Sequence, residues 1–363
     1  MPTLFDPIQF GAIAAPNRVV MAPLTRGRGT RTHVPTELMI EYYRQRASAG
    51  LIITEATGIS QEGLGWPYAP GLWTDEQVEA WKPVTDAVHE AGGRIVVQLW
   101  HMGRQVHSSV IGGQPVSSSA TATAGQAHTY EGKQDFETAR ALGLDEIPRL
   151  LEDYRRAGAN AVKAGFDGVQ LHAANGYLID QFLRNNANFR DDAYGGSVEN
   201  RIRLLGEVTQ ALADVVGADR TGVRLSPNGN SQGVDDSDPV PLFTAAAAKL
   251  DSIGIAFLEL REPGPDGTFG NTDVPKISPD IRKVFKAPLI LNSDFDAAKS
   301  QAALDSGVAD AIAFGRPFLA NPDLPRRLRE RLPLNPDVAA TWYSQGPKGY
   351  TDYPYVEETV AAE

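Results

Sequence analysis

The sequence predicts a single (β/α)8 TIM barrel that spans residues 1–363. Eight short apolar runs recur along the chain, and helical segments lie between them. The runs are almost continuously hydrophobic, which is typical of parallel strands covered on both faces. Because barrels of this size commonly form one domain, eight such strands favour a closed barrel over two separate domains.

The eight predicted strands are Val19–Ala22, Leu51–Thr54, Arg94–Leu99, Gly168–Leu171, Gly222–Leu225, Ala256–Leu260, Pro288–Leu291 and Ala311–Phe314. A doubly wound sheet is the structural alternative, and it would need a Gly-rich turn after the first strand. The chain continues there as Pro23-Leu24-Thr25-Arg26, which is unlike such a turn. The barrel is therefore preferred.

Two of the intervening helices have clear patterns. Thr74 and Gln77 form a predicted capping box, Gly92 fits the far end, and Pro83 predicts a kink. The apolar stripe of this first helix comprises Val78, Trp81, Val84 and Val88. The stripe of the second helix comprises Ile202, Leu205, Val208, Leu212 and Val215.

Two stretches depart from the simple alternation of strands and helices. Residues 100–148 are rich in Ser, Thr, Gly and Ala, and we expect a capping insertion after strand three. Arg261–Pro275, rich in Gly and Pro, is expected to form a mobile loop after strand six. The barrel pattern continues after both stretches, so neither is interpreted as a linker between domains.

Composition excludes several classes of protein. The net charge is −11 and no run of Lys or Arg occurs, which argues against nucleic-acid binding. The chain has no Cys, so a disulfide scaffold, a thiolate zinc site and an iron–sulfur cluster are excluded, and no metal site is expected. Without a long apolar run or a signal peptide, we expect a cytoplasmic protein that does not contact membranes, either a monomer or a homodimer.

The chain after strand four carries three hydrogen-bonding side chains. His172, Asn175 and Tyr177 lie within six residues, at the strand end where barrel enzymes hold their active sites. His and Asn can donate hydrogen bonds to one substrate oxygen, and Tyr can donate a proton. The alternative is that His172 and Tyr177 only fill space.

The last two strands end in a candidate phosphate site. Ser293 and Asp294 follow strand seven, and Gly315 and Arg316 follow strand eight. Loops at these positions commonly bind phosphate in barrels. Gly315 allows close approach of the backbone, and Arg316 offers a bidentate clamp, unless it is only a surface Arg. Asp294 is compatible with a phosphate only if its carboxylate turns away.

Arg224 lies inside the apolar fifth strand. A buried guanidinium is costly unless it meets an anion or a polar partner. The sequence leaves open whether that partner is a bound ligand or an internal acidic residue. With the strand-end residues above, it suggests a barrel that holds a phosphorylated ligand.

Eight longer stretches, most of them at strand ends, occur in a specific order. They are Asn17–Arg26, Thr54–Thr57, Gln98–Arg104, His172–Leu178, Asp180–Leu183, Tyr194–Arg201, Phe314–Phe318 and Gly349–Pro354. In their number, order and placement, these stretches resemble the Old Yellow Enzyme family of flavin-dependent ene-reductases. Thr25 and Asn175 resemble its classical branch, which includes N-ethylmaleimide, pentaerythritol tetranitrate and 2-cyclohexenone reductases.

The resemblance implies one barrel that binds flavin mononucleotide (FMN) non-covalently and uses NADPH or NADH as reductant. Thr25 would bond flavin O4, Gln98 would hold the pyrimidine edge, and Arg224 would stabilise negative charge near N1 and O2 of the reduced flavin. The implied cofactor-binding residues are Pro23, Leu24, Thr25, Ala56, Gln98, His172, Arg224, Ser293, Asp294, Phe314, Gly315 and Arg316.

The resemblance also implies an activity, the reduction of C=C bonds in α,β-unsaturated carbonyls, maleimides and nitroalkenes, with nitrate esters as further substrates. His172 and Asn175 would hold the substrate oxygen, hydride would pass from flavin N5 to the β-carbon, and Tyr177 would protonate the α-carbon. The implied pocket residues are Thr25, Trp66, Trp100, His172, Asn175, Tyr177, Phe269 and Tyr343.

Two features depart from the family pattern: Trp66 stands where many members have Tyr, and Pro263–Asn271 matches no version of the loop. Other FMN barrels, such as 2-hydroxy-acid oxidases and dihydroorotate dehydrogenases, lack the His-x-x-Asn-x-Tyr set. An aldolase barrel would need a Schiff-base Lys, which is not evident at a strand end. A flavin-storage protein would leave Tyr177 without a role.

Overall fold

The eight predicted strands form a closed parallel barrel in the computed structural model, which describes residues 1–356. The strands of the structure are β1 Ile8–Phe10, β2 Ile13–Ala15, β3 Val19–Met21, β4 Leu51–Gly58, β5 Ile95–Trp100, β6 Val116–Ser117, β7 Gln126–Thr129, β8 Gly132–Asp135, β9 Arg140–Ala141, β10 Gly168–His172, β11 Thr221–Leu225, β12 Phe257–Arg261, β13 Leu289–Asn292 and β14 Ala311–Phe314. The barrel runs β3, β4, β5 and then β10 to β14, and β14 pairs with β3 to close it.

The predicted barrel is confirmed, and most strand ends agree within a residue or so. The exception is β4, which continues to Gly58 although Thr54 was its predicted end. Its pairing with β5 shifts register between Ile53 and Ala56, and Ala56 then lies opposite Gln98. The second half of β4 contains Thr54, Glu55 and Thr57, so the apolar pattern ends before the strand does.

Helices cover the outside of the barrel. They are α1 Glu37–Gln45, α2 Asp75–Glu90, α3 Ser108–Ile111, α4 Ile147–Lys163, α5 Leu178–Leu183, α6 Val198–Arg201, α7 Arg203–Val216, α8 Pro239–Ile253, α9 Ser278–Val284, α10 Ala297–Asp305, α11 Arg316–Ala320 and α12 Leu324–Glu330. Short 3-10 helices occur at Leu144–Glu146, Ala218–Arg220 and Ala339–Thr341.

The two predicted helical patterns correspond to α2 and α7. The capping box of α2 is confirmed, because Thr74 Oγ1 accepts from the Gln77 backbone N–H at 3.2 Å and Gln77 Oε1 accepts from that of Thr74 at 3.2 Å. All four stripe residues of α2 are buried, and Pro83 lies inside the helix without ending it. In α7 the prediction is wrong at Val215, which is exposed, since the neighbouring Val216 takes the buried position at the end of the helix.

A hairpin of β1 and β2 closes one end of the barrel, and the sequence patterns did not indicate it. Phe10 packs edge-on against Phe257, with ring centroids 5.6 Å apart. The backbone N–H of Ala12 donates to the carbonyl of Asp219, just before β11. Because Asp219 and Phe257 lie where barrel strands begin, the hairpin seals the amino-terminal end and leaves the opposite end for the site.

The stretch 100–148 contains short elements rather than an irregular loop. It holds α3, the parallel pair β6–β9 and the antiparallel hairpin β7–β8. From that hairpin, the ring of His128 packs 4.5 Å from Trp66, and the Tyr130 hydroxyl donates to the Arg31 carbonyl. A capping role for this insertion remains a prediction.

The segment after β12 has neither helix nor strand until α9 begins at Ser278. Its two ends are tied together by the buried carboxylate of Glu262, which accepts from the backbone N–H groups of Ile277 and Ser278 at 2.6 and 3.0 Å. The predicted loop position is therefore confirmed, while its mobility stays a prediction.

Two buried arginines bind the loop after β3 to residues 341–349. Arg26 donates to the carbonyls of Trp342 and Gly349 at 3.1 and 2.6 Å. Arg28 donates to the carbonyls of Trp342 and Thr341 at 2.8 and 2.9 Å. These bonds hold the late part of the chain against the rim of the barrel.

Within residues 1–356, no helix combines the length and the apolar character required to cross a bilayer.

Candidate active site

Three aromatic rings meet where β5 and β10 end. Trp100 is the last residue of β5, His172 is the last of β10, and Tyr177 directly precedes α5. The rings of Trp100 and His172 are stacked with centroids 6.2 Å apart, and Tyr177 meets each of them edge-on at 4.9 Å. The structure therefore brings the predicted His and Tyr together with one predicted pocket residue.

The His172 imidazole is buried and neutral. Burial and, to a smaller extent, the nearby Arg224 cation lower the pKa of His172 well below its usual value. Its Nδ1 accepts from the backbone N–H of Ala174 at 3.4 Å. Because one ring nitrogen accepts, the proton of the neutral ring lies on Nε2, which is then free to donate.

The turn that carries Asn175 is held from beneath. The backbone N–H of Asn175, which has φ of +58°, donates to Ser226 Oγ at 2.8 Å. The backbone N–H of Gly176 donates to Asp180 Oδ2 at 2.9 Å. Asp180 in turn forms a fully buried ion pair with Arg184. In the described part of the chain, Asn175 Oδ1 is buried and has no hydrogen-bond partner. The turn is thus fixed while the Asn175 side chain remains available.

Tyr177 is half-buried between the Trp100 and His172 rings and the Gln232 side chain. Burial raises the pKa of the Tyr177 phenol to about 12, although the contact with Gln232 opposes the shift. The hydroxyl is therefore protonated at neutral pH and can act as an acid.

A chain of polar side chains crosses the barrel interior below these rings. Gln98 Nε2 donates to Gln170 Oε1 at 2.7 Å, and Gln170 Nε2 donates to Glu259 Oε2 at 2.8 Å. Arg224 Nε donates to Glu259 Oε1 at 3.1 Å, and its Nη2 donates to Asn292 Oδ1 at 2.9 Å. Gln170 and Glu259 were missed by the sequence analysis, although each is a polar residue at an interior position of an apolar strand.

Arg224 has an internal acidic partner, which is one of the two possibilities that the sequence left open. The guanidinium forms a buried ion pair with Glu259, whose side chain is fully enclosed. Arg224 also lies opposite His172 in the pairing of β10 and β11. The ion pair satisfies the buried cation without preventing a second partner from above, since Arg carries five donors.

Glu55 organises the loop after β3 that carries Pro23, Leu24 and Thr25. Its Oε2 accepts from the backbone N–H groups of Arg26 and Gly27, each at 3.0 Å. Burial raises the pKa of Glu55, while these two hydrogen bonds oppose the shift. Glu55 belongs to a stretch quoted for the resemblance, but its role in holding the loop becomes evident only from the fold.

The loops after β13 and β14 lie together, as predicted for the phosphate site. Ser293 and Asp294 have φ of +107° and +52°. The Asp294 carboxylate accepts from the backbone N–H of Thr268 at 3.2 Å and from its hydroxyl, and Arg316 Nη2 lies 3.7 Å from Asp294 Oδ1. Gly315 follows the buried Phe314 and faces Leu24. The carboxylate of Asp294 is thus engaged by Thr268.

The predicted pocket wall is assembled only in part. The rings of Trp66 and Tyr343 pack with their centroids 5.0 Å apart. Trp66 also belongs to an apolar cluster with Ala56, Trp100 and Tyr177. Phe269 is 57% exposed. Its ring lies edge-on to that of Trp342, with centroids 6.3 Å apart. Its role as a pocket residue remains a prediction.

Arg261, at the end of β12, was not among the predicted site residues. Its guanidinium donates to the Phe269 carbonyl and lies 5.7 Å from the Phe269 ring. Burial and the Arg224 cation lower the pKa of Arg261 to about 10. The rule that barrel sites lie at strand ends would have found it, since it closes the sixth barrel strand.

Comparison with known proteins identifies the family of this site. The family described as NADH:flavin oxidoreductase / NADH oxidase matches residues 3–335. The chain belongs to this family. An old yellow enzyme homologue from Zymomonas mobilis has a TM-score of 0.97 and 66% identity, over 97% of this chain and 99% of that chain. This flavin oxidoreductase is also similar to morphinone reductase in complex with tetrahydroNAD, with a TM-score of 0.93 and 45% identity over all of both chains.

Two curated relatives align with nearly the whole of this chain. A chanoclavine-I aldehyde reductase of Penicillium roqueforti is 44% identical over 99% of this chain and 98% of its own length. The 12-oxophytodienoate reductase 1 of Oryza sativa subsp. japonica is 42% identical over 98% and 93%. The protein is an FMN-dependent oxidoreductase of the Old Yellow Enzyme family, so the predicted family, enzyme class and cofactor are confirmed.

The polar chemistry of the site fits FMN. The Gln98 amide and the Arg224 guanidinium offer hydrogen-bonding groups of the kind that a flavin pyrimidine edge requires. Arg316 and the loops after β13 and β14 offer a cation near backbone donors for one phosphate. Among residues 1–356, no group of three His, Asp or Glu side chains is arranged to hold a metal ion.

Proposed function

We propose that this oxidoreductase is an NAD(P)H-dependent ene-reductase of the classical branch. It reduces the C=C bond of activated alkenes, namely α,β-unsaturated carbonyls, maleimides and nitroalkenes, and nitrate esters are further substrates of the same pocket. The observation that carries the proposal is the neutral His172 beside the protonated phenol of Tyr177, with ring centroids 4.9 Å apart.

His172 and Asn175 hold the substrate oxygen. A neutral imidazole with its proton on Nε2 can donate to a carbonyl or nitro oxygen, and the Asn175 amide can donate a second hydrogen bond. The His172 ring is held by its hydrogen bond from Ala174, and Ser226 holds the backbone of the turn from which the Asn175 side chain projects. Fixed donors stabilise negative charge that develops on the oxygen during reduction.

Tyr177 supplies the proton. Its pKa of about 12 keeps the phenol loaded at neutral pH, and the His172 ring beside it places the proton source near the held oxygen. An alkene bound through that oxygen presents its α-carbon close to the same residues. The phenolate left behind is reprotonated from solvent between turnovers.

FMN, when bound, would supply hydride transfer from NADPH or NADH to the alkene in a ping-pong cycle. The residues that would hold FMN non-covalently are those named from the resemblance, with Gln98 and Arg224 toward the pyrimidine edge and Arg316 toward the phosphate. A morphinone reductase binds tetrahydroNAD. That complex supports the use of a nicotinamide coenzyme by this chain.

Isotope labelling tests the proposal directly. The purified protein is incubated with 2-cyclohexenone and NADPH or NADH deuterated at the transferable C4 position, in H2O and, with unlabelled coenzyme, in D2O. We expect label from the coenzyme on the β-carbon and label from D2O on the α-carbon. A protein that shows an FMN spectrum but reduces neither enones, maleimides nor nitroalkenes with either coenzyme would contradict the proposed activity.

A further inference from the structure

The buried carboxylate of Glu259 is the only acidic side chain in the polar chain Gln98–Gln170–Glu259–Arg224–Asn292, which we name the interior polar chain. Its two oxygens face different partners, since Oε1 accepts from Arg224 at 3.1 Å and Oε2 accepts from Gln170 at 2.8 Å. The carboxylate is fully enclosed, and so is Gln170. A charge in such a place must be matched by its surroundings, since an unmatched buried charge is strongly destabilising.

The charge fixes the direction of the hydrogen bonds that lead to Gln98. An ionised carboxylate can only accept, so Gln170 must present its NH2 group to Glu259. The carbonyl oxygen of Gln170 is then turned to Gln98, which must present its own NH2 group at 2.7 Å. The amide oxygen of Gln98 is left as the acceptor toward the cofactor.

The same carboxylate compensates the cation of Arg224. The guanidinium reaches Glu259 through Nε and Asn292 through Nη2, and it carries further N–H groups. At low dielectric, a carboxylate about 3 Å from a guanidinium removes much of its field at a third site. The stabilisation that Arg224 can offer to negative charge on the reduced cofactor is therefore smaller than that of an uncompensated Arg.

We propose that Glu259 is a positioning residue that sets the reduction potential of bound FMN, by compensating Arg224, and that orients Gln98 toward the flavin through Gln170. This inference rests on the placement of the flavin under the proposed function. The role proposed for Glu259 can be tested with bound FMN alone, without turnover of an alkene. The enclosed Glu259 carboxylate would act only through its two partners, Arg224 and Gln170.

The test is the midpoint potential of FMN in the holoprotein, measured by reductive titration against a reference dye. In Glu259→Gln the charge is lost and the shape is kept, so Arg224 acts uncompensated on the reduced flavin. We expect reduced FMN to gain about tenfold in affinity relative to oxidised FMN, which is a positive shift of about 30 mV for this two-electron couple.

Two further variants separate charge from orientation. Gln170→Met keeps the volume and the Glu259–Arg224 pair but breaks the link to Gln98. We expect weaker binding of oxidised and reduced FMN alike, by several-fold, with no change in potential. Glu259→Asp withdraws the charge by one methylene, so its potential should shift in the same positive direction by less than that of Glu259→Gln. This variant keeps the test available if Glu259→Gln does not fold.

Asp236→Asn is the matched control. Asp236 is also fully buried and paired with an arginine, Arg201, but it lies outside the interior polar chain. It should lower thermal stability and leave the potential at the wild-type value. An unchanged potential in Glu259→Gln, or the same shift in Gln170→Met as in Glu259→Gln, would overturn the role of Glu259. A wild-type protein without an FMN spectrum would instead refute the proposed function.

Discussion

His172 and Tyr177 meet edge to face, with ring centroids 4.9 Å apart and ring planes at 82°. The contact places two proton-bearing side chains side by side. His172 can donate a hydrogen bond from Nε2, and the Tyr177 hydroxyl is protonated at neutral pH. The two residues come from the end of β10 and the start of α5, so a single short turn sets their relation. Their different roles lead to different predictions for their variants.

Tyr177→Phe should separate the two half-reactions. Reduction of the flavin by nicotinamide needs no proton from Tyr177 and should stay near the wild-type rate. Enone reduction should fall by about 10²–10⁴-fold, which is what a positioned general acid contributes. Stopped-flow absorbance measures each half-reaction. A nitroalkene serves as a control, since the nitronate formed from it can leave and be protonated in water, and its reduction should suffer less. Equal slowing of both half-reactions would reduce Tyr177 to a packing residue.

The double variant His172→Ala/Asn175→Ala should lose enone reduction and keep its flavin. Under the proposed function both groups donate to one oxygen, so the two single effects should not add. Titration with a phenol, whose phenolate resembles the enolate, reports binding through a change in the flavin spectrum. We expect that change to weaken strongly in the double variant. An unaltered phenol titration would show that the oxygen is held elsewhere.

The flavin released by heat should be FMN and not FAD, because the sequence offers one candidate anion site, at Gly315 and Arg316, and no Gly-rich pyrophosphate loop. Arg316→Ala should weaken FMN binding, since it removes a charge-assisted pair with the phosphate, with a cost of about 1.5–3 kcal/mol. Chromatography identifies the flavin, and fluorescence titration of the apoprotein gives the affinity. Arg326→Ala, on the exposed face of α12, is the control and should bind FMN like wild type.

The proton-donating step should tolerate alkaline pH. Because the pKa of Tyr177 is about 12, only about one phenol in a hundred is ionised at pH 10, whereas an unshifted phenol would be half ionised. The rate of enone reduction by the reduced enzyme should therefore be nearly level from pH 7 to pH 10. Single-turnover measurements across this range check it. A loss by half at pH 10 would show that burial does not protect the phenol.

Acid should destabilise the fold through His101. Burial lowers the pKa of His101 to about 4, whereas the unfolded residue keeps its ordinary value of 6.5. The unfolded chain therefore binds a proton first as the pH falls from 6.5 to about 4, and stability is lost in this window, by about 2 kcal/mol at pH 5. Urea unfolding at pH 7 and pH 5 measures the loss. His101→Gln should show a smaller difference between the two pH values, and an equal difference would assign the effect to other groups.

Local sequence patterns were enough for the barrel because its strands are buried on both faces and read as apolar runs. The same patterns found His172 and Tyr177, since barrel sites lie at strand ends. They could not find Glu259 or Gln170, because the partners of a buried polar residue are set by the register of strands far apart in the chain. The hairpin of β1 and β2 was missed for a related reason, since its strands of three residues are too short to show alternation.

The ties from Arg26 and Arg28 to the carbonyls of residues 341–349 have a consequence for synthesis of the protein. The loop after β3 is among the first parts of the barrel to leave the ribosome, and its anchor is among the last. Domains generally fold as units during synthesis. The loop after β3 therefore gains these hydrogen bonds only after residues 341–349 have been synthesised, more than 300 residues later in the chain.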